Sequence, residues 1–161
     1  MPNTIDLALI VRSVVSEMGP LFTAKQQEVE MNLPDSPAML TADATGIRRI
    51  LESLLDNAIK YTPRGGAIRV SLLEGEDAFE MQVADSGSGI PQDFVPHIFN
   101  RFYRVDESRQ RQTGGHGLGL AIAQQLVHAH HGTIAAIPAT AGGACLQVRI
   151  PKKQNDGGQQ Q

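Results

Sequence analysis

The sequence predicts a two-layer α/β sandwich, a mixed sheet with helices packed on one face. Three observations carry that expectation. The periodicities run helix, two strands, helix, two strands, long loop, helix, two strands. The helical stretches repeat apolar residues at three- and four-residue steps, while the strands alternate. The chain has 161 residues, 41% of them hydrophobic and 19% charged, enough for one ordinary domain to bury a core without disulfides or metal.

Asp6 is placed to cap a first helix with a broad apolar stripe of Leu7, Leu9, Ile10, Val11, Val14, Val15 and Met18. Gly19-Pro20 ends or bends it, with a continuation to about Gln26. Glu28 to Leu33 and Ala38 to Thr41 alternate around Pro34-Asp35-Ser36-Pro37, which suggests two short strands joined by a turn. Asp43 reads as a second N-cap. From there to Tyr61, residues Ile47, Ile50, Leu51, Leu54, Leu55, Ala58 and Ile59 give the strongest helical signal in the chain, ended by Pro63 and Gly65-Gly66.

Ala67 to Leu73 and Ala78 to Ala84 read as an antiparallel hairpin around Glu74-Gly75-Glu76-Asp77, and the glycine-rich turn DSGSGI follows. Pro91 to Gly115 is a long polar segment carrying Arg101, Arg104, Arg109 and Arg111, a length that marks a functional loop. Gly117 to His131 is predicted helical, with Leu118, Ala121, Ile122, Leu126 and Val127 inward and Gly132 as the C′ residue. Thr133 to Ile137 and Ala144 to Ile150 are the last strands, flanking Gly142-Gly143. The final KKQNDGGQQQ is nearly devoid of apolar residues, so one domain is expected over 1–151 and a disordered tail over 152–161.

Composition narrows the functional classes. Fourteen Lys and Arg against seventeen Asp and Glu give a net charge of −3, and the aromatics are Tyr61, Tyr103 and five Phe. A basic nucleic-acid surface with stacking platforms is not indicated. Cys145 is alone, so an intramolecular disulfide, a CxxC pair and a cysteine-pair zinc site are excluded, and a reducing cytoplasm fits best. No apolar run approaches the ~18 residues of a spanning helix, so the chain itself is expected to be neither secreted nor membrane-spanning. It can still be a piece of a longer membrane protein.

Six of the sixteen glycines, Gly87, Gly89, Gly114, Gly115, Gly117 and Gly119, flank the arginine-bearing loop. GxxxxGK[ST] is absent, and Leu120 stands where a dinucleotide fold needs its third glycine, so the P-loop and Rossmann readings fail. GGHGLGLAI opening a helix is either an anion site, naturally for phosphate, or a plain glycine-rich turn. On the Asp43 helix, Ser53, Asn57 and Lys60 form one polar stripe. Asn57 offers a carbonyl oxygen to Mg²⁺ or is a satisfied polar residue at the core edge; Lys60 meets a phosphate or pairs with Asp56. Tyr61 stacks on a base or caps the core. Asp85 accepts from an exocyclic amine such as that of adenine, or caps an Asx-turn.

LLDNAIKYTP, DSGSGI, IFNRFYR and GGHGLGLAI, in this order and spacing, resemble the N, G1, F and G2 boxes of sensor histidine kinase ATP-binding domains, within the Bergerat-fold or GHKL ATPases. The resemblance covers nearly everything from Asp6 to Pro151. It implies a mixed, mostly antiparallel sheet of about five strands, three helices on one face and a glycine-hinged ATP lid. Asn57 then resembles the Mg²⁺ ligand, Lys60 a phosphate contact, Tyr61 a wall of the adenine site and Asp85 the acceptor for adenine N6. Gly87, Gly89 and Ile90 match the purine pocket, while Phe99 and Phe102 match lid anchors. By the same resemblance, Arg101 and Arg104 are expected to reach the phosphates or the partner domain. Gly115, His116, Gly117, Leu118, Gly119 and Leu120 match the segment that hinges the lid and meets the phosphates.

Two departures stand out. Ser53 occupies the position of a frequent second asparagine, and its shorter hydroxyl suits a water-mediated role; His116 replaces a small hydroxyl residue. His128, His130 and His131 gather at a helix end that favours histidine for its dipole, without a carboxylate or cysteine to complete a metal site. His97 has no assigned role.

The family transfers the γ-phosphoryl group of Mg-ATP to a histidine in an HExxTPL-like box, and no such box occurs here. The resemblance therefore implies a catalytic domain without its phosphoacceptor. The partners implied are ATP, the histidine-containing dimerisation domain of the same parent protein and a downstream response regulator. The parent would be a homodimer, this chain a monomer and a cytoplasmic part of an inner-membrane sensor. The rival readings are a non-catalytic nucleotide-sensing module and a serine kinase of the anti-sigma-factor type.

Overall fold

A computed structural model describes residues 3–86, 119–138 and 144–152. The carboxylate of Asp6 organises the start of the chain. Its Oδ1 accepts from Ala8 N and from Ala38 N, both at 3.1 Å, while Leu7 N donates to Ala38 O at 2.8 Å. Asp6 thus caps helix α1 (Leu7–Glu17), as the sequence predicts, and also ties it to the start of β3 (Met39–Ala42). Ahead of it, β1 (Asn3–Asp6) pairs antiparallel with β3 in a separate two-stranded sheet. Four residues are too few to show alternation, which is why this strand has no sequence signal.

The helix resumes as α2 (Gly19–Ala24), with Pro20 in its first turn, where its missing N–H costs nothing. It stops two residues short of Gln26, which takes a left-handed φ of 53°. β2 (Glu28–Asn32) and β3 both form, but they are not partners: β2 runs parallel to β4 in the main sheet. The intervening segment holds Pro34 and Pro37 and is too long for a tight hairpin turn, so the two strands separate into different sheets.

Asp43 caps α3 (Ala44–Tyr61), accepting from Thr45 N at 3.3 Å. The hairpin β4 (Ala67–Glu74) and β5 (Ala78–Asp85) holds a register from Ile68↔Asp85 to Glu74↔Phe79. After the undescribed stretch come α4 (Gly119–Ala129), β6 (Thr133–Pro138) and β7 (Ala144–Pro151). The main sheet has the order β2-β4-β5-β7-β6, with one parallel pair and otherwise antiparallel neighbours. The core lies between α1, α3 and α4 and one face of this sheet: Ile47, Ile50, Leu51, Leu54 and Leu55 of α3 against Val70, Met81, Val83 and Val148. Arg48 of α3 bonds Ser13 at 3.2 Å and Glu17, holding the two long helices together at their outer edge.

Two expectations for α4 are corrected. Ile122, expected inward, is 37% exposed, because Leu120, Ala123 and Val127 form the core stripe and Ile122 falls on the opposite side of the helix. The left-handed residue ending the helix is His131 (φ 63°), not Gly132. Gly132 N donates to Val127 O and His131 N to His128 O, both at 2.9 Å, the paired bonds of a Schellman motif. Gly132 answers a different need, since a Cβ there would lie 2.2 Å from the carbonyl oxygen of Arg149. Just past this end of β7, Lys152 donates its N–H to Asp77 O at 2.8 Å and its ammonium to Glu74 at 2.7 Å.

Candidate functional site

The apolar stripe of α3 sets how the helix is rotated on the sheet, and thereby which polar side chains reach the rim. With Leu54, Leu55, Ala58 and Ile59 buried, Ser53, Asn57, Lys60 and Tyr61 all become half-buried. Lys60 Nζ lies 2.9 Å from Asp56 Oδ2, so the ammonium is steered by a carboxylate one turn away. Its side chain is 19% exposed and that of Asp56 51%, which leaves the pair at the water boundary.

Asp85 ends β5 on the same face as Val83 and Met81 and is 9% exposed, an unusual burial for a carboxylate. Directly after it, Ser86 extends the pairing with β4: its N–H donates to Ala67 O at 3.0 Å and its Oγ accepts from Ala67 N at 2.9 Å. The ends of α3 and β5 meet at Gly66. A Cβ on Gly66 would come within 2.6 Å of Thr62 Cγ2 and 3.0 Å of Ser86 Oγ. The residue following Tyr61 and the residue following Asp85 therefore flank one glycine, and both candidate ends of the site converge there.

Burial pushes the Cys145 thiol up, and the negative charge of Asp85 adds to the effect. Cys145 pairs with Ala84, the neighbour of Asp85 on β5.

The structure adds residues that no sequence pattern marked. Lys25 Nζ donates to Ile59 O at 2.7 Å and Lys60 O at 3.5 Å, and Gln27 Nε2 donates to Ile59 O at 3.1 Å and Thr62 O at 2.8 Å. They close the C-terminal end of α3, where helix carbonyls lack internal partners. Of the three histidines gathered at the end of α4, His130 is buried, between α4 and the N-cap of α3. Among the described residues no group of three metal-ligating side chains occurs.

Gly119 opens α4 and Leu120 packs half-buried against the core. Gly87, Gly89, Ile90, Phe99, Arg101, Phe102, Arg104, Gly115, His116, Gly117 and Leu118 lie outside the described residues.

An oxygen-bearing stripe and a lysine at the end of a helix thus lie near a strand end with a buried carboxylate, at the rim of an α/β sandwich. The family model for histidine kinase-, DNA gyrase B- and HSP90-like ATPases matches residues 42–154, and the chain belongs to that family. It is the catalytic ATP-binding domain type found in two-component sensor histidine kinases. The sensor histidine kinase WalK of Bacillus subtilis is 41% identical over 149 residues, covering 90% of this chain and 24% of that protein. The catalytic domain of the histidine kinase ThkA superposes with a TM-score of 0.86 at 24% identity, covering 96% of this chain and 97% of that one, a likeness of fold. Full-length ShkA, solved in complex with AMPPNP, superposes with a TM-score of 0.81 at 26% identity over 96% of this chain and 32% of its own. The chain thus spans about a quarter of WalK. Among the described residues no helix is long and apolar enough to cross a membrane.

Proposed function

We propose that this chain binds Mg-ATP between the C-terminal half of α3 and the end of β5, and donates the γ-phosphoryl group to a histidine on a separate domain of its parent. The observation that carries this reading is the meeting at Gly66 of Thr62, which follows the helix end bearing Asn57, Lys60 and Tyr61, and Ser86, which follows the buried Asp85. Asp85, an acceptor held out of water, suits the exocyclic amine of adenine, and Tyr61, half-buried at the end of α3, is read as a wall of the adenine site.

Asn57 and Ser53 are half-buried oxygen donors on one helix face, a set that fits a hard cation, which takes few protein ligands and completes its shell with water and phosphate. Held by these residues, Mg²⁺ would neutralise phosphate charge. Lys60, already oriented by Asp56, neutralises a phosphate oxygen. By the family resemblance, Gly87, Gly89 and Ile90 are read as purine-pocket residues, Phe102 as a lid anchor, Arg104 as a contact of the phosphates or the partner domain, and Gly115, His116, Gly117, Leu118, Gly119 and Leu120 as the segment that hinges the lid and meets the phosphates. Phosphoryl transfer needs positioning and charge stabilisation more than a covalent group from the protein, which suits this residue set. The parent is read as a homodimeric inner-membrane sensor that carries this domain in the cytoplasm and phosphorylates a response regulator.

Calorimetric titration with ATP and ADP, with and without Mg²⁺, tests the reading on the chain and on Asp85→Asn and Asn57→Ala. The expected result is adenine-specific binding abolished by Asp85→Asn and weakened by removing Mg²⁺ or Asn57. A folded chain that binds neither nucleotide overturns it.

A further inference from the structure

The C-terminal end of α3 is the negative pole of that helix, and it is the end that carries Asn57, Lys60 and Tyr61. Exposed carbonyls there are poor neighbours for a polyphosphate. The chain covers them with a side-chain clamp. Lys25 and Gln27 both donate to the same acceptor, Ile59 O, at 2.7 and 3.1 Å. Lys25 extends to Lys60 O at 3.5 Å and Gln27 to Thr62 O at 2.8 Å, so the carbonyls of Ile59, Lys60 and the C-cap Thr62 are engaged from outside the helix.

The backbone is shaped for this. Gln26, between the two donors, takes a φ of 53°, a conformation that non-glycine residues seldom adopt, and Lys25 O accepts from Gly65 N at 3.0 Å. The segment is therefore wrapped on the end of α3 by backbone as well as side chains. Glu28 N donates to Gly66 O at 2.9 Å, which carries the same wrap to the glycine where the two ends of the candidate site meet.

We propose that Lys25 and Gln27 are positioning residues for the metal and phosphate half of the nucleotide site. This rests on the reading of Asn57 and Lys60 as its contacts. The clamp fixes the last turn of α3, so that Asn57 and Lys60 project at a set angle, and the Lys25 ammonium offsets the negative pole beside the phosphates. Adenosine, which engages Asp85 and not the phosphate contacts, should be indifferent to it.

The test compares Mg-ATP and adenosine affinities of the unmutated chain with those of Lys25→Met, Lys25→Arg, Gln27→Met, Asn57→Ala and Lys60→Met. Lys25 is half-buried and Met keeps its apolar stem, so the fold is expected to be retained, which circular dichroism checks. Lys25→Met and Gln27→Met are each expected to weaken Mg-ATP about tenfold, in the range seen when supports of a metal ligand are lost, with adenosine within about twofold. Lys25→Arg, which restores charge and donors, should recover most of the loss. Equal losses for Mg-ATP and adenosine, or no loss in Lys25→Met, overturn the positioning role. If instead Asn57→Ala and Lys60→Met leave Mg-ATP affinity untouched, the underlying site reading fails, and the clamp's role with it.

Discussion

His130 Nε2 accepts the backbone N–H of Asp43 at 3.3 Å, while its Nδ1 donates to Leu126 O at 2.8 Å. One imidazole, in its Nδ1–H tautomer, thereby joins the end of α4 to the N-cap of α3. Gly46 faces the ring, and a Cβ there would stand 3.0 Å from His130 Cε1, so the helix start is shaped around the histidine. The helix that follows residues 87–118 is thus pinned to the helix that carries Asn57 and Lys60.

His130→Phe keeps a flat ring but removes both hydrogen bonds, leaving Asp43 N–H and Leu126 O to lose their side-chain partner. The expected loss is about 1–3 kcal/mol, the cost of a buried polar group left unpaired. A urea unfolding curve with an unchanged slope and a lower midpoint is the expected result; an unchanged midpoint would show that the link carries no stability.

Adjacent positions at the end of α4 should respond with opposite signs. His131 holds a left-handed φ of 63°, where glycine avoids the Cβ penalty, so His131→Gly is expected to stabilise by about 1 kcal/mol. Gly132→Ala places a methyl group against the Arg149 carbonyl, at 2.2 Å in the unrelaxed geometry, and should destabilise by about 1–3 kcal/mol as the strand or turn shifts. Thermal melts of the two variants side by side check the sign.

Why the sequence placed the break one residue late is plain from these two positions. A glycine after a helix usually marks the left-handed residue, and here it marks a close backbone approach instead. The elements themselves were legible where a pattern was long: α3 carries an apolar stripe from Ile47 to Ile59 and two flanking signals, and the β4–β5 hairpin alternates over eight residues a side. β1 was too short to be seen, and the partners of β2 and β3 are tertiary choices that no local pattern encodes. In the candidate site, Asn57, Lys60 and Asp85 stood out by spacing and by neighbouring glycines. Lys25 and Gln27 did not, and His130 stood out only as one of three histidines at a helix end, because their roles consist of bonds to backbone more than thirty residues away.

Lys60 separates the structural from the ligand reading of the α3 stripe. Its pairing with Asp56 is an i,i+4 contact at the surface, worth at most about 0.5 kcal/mol. Lys60→Met should therefore barely move the unfolding midpoint while weakening ATP about tenfold and leaving adenosine unchanged, since a charge-assisted phosphate contact is the stronger of its two bonds. A midpoint shift without an affinity change would assign Lys60 to the fold alone.

Cys145 supplies the pH prediction. It is 5% exposed, and burial first, then the charge of Asp85, holds its thiol above the ordinary range. The native state therefore keeps the thiol proton more tightly than the unfolded chain does. The associated stability is fully present below the unfolded thiol's value of about 8.5, and is lost as pH rises beyond it through the native value. Cys145→Ala should flatten that decline above about pH 8.5. Alkylation gives an independent reading, because the thiolate is the nucleophile: the native thiol should react far more slowly than the urea-unfolded chain at the same pH. Asp85→Asn removes the second cause, so it should speed the native reaction at fixed pH. If Asp85→Asn leaves the rate unchanged while the fold persists, the charge at the end of β5 does not reach Cys145, and burial alone accounts for the raised thiol.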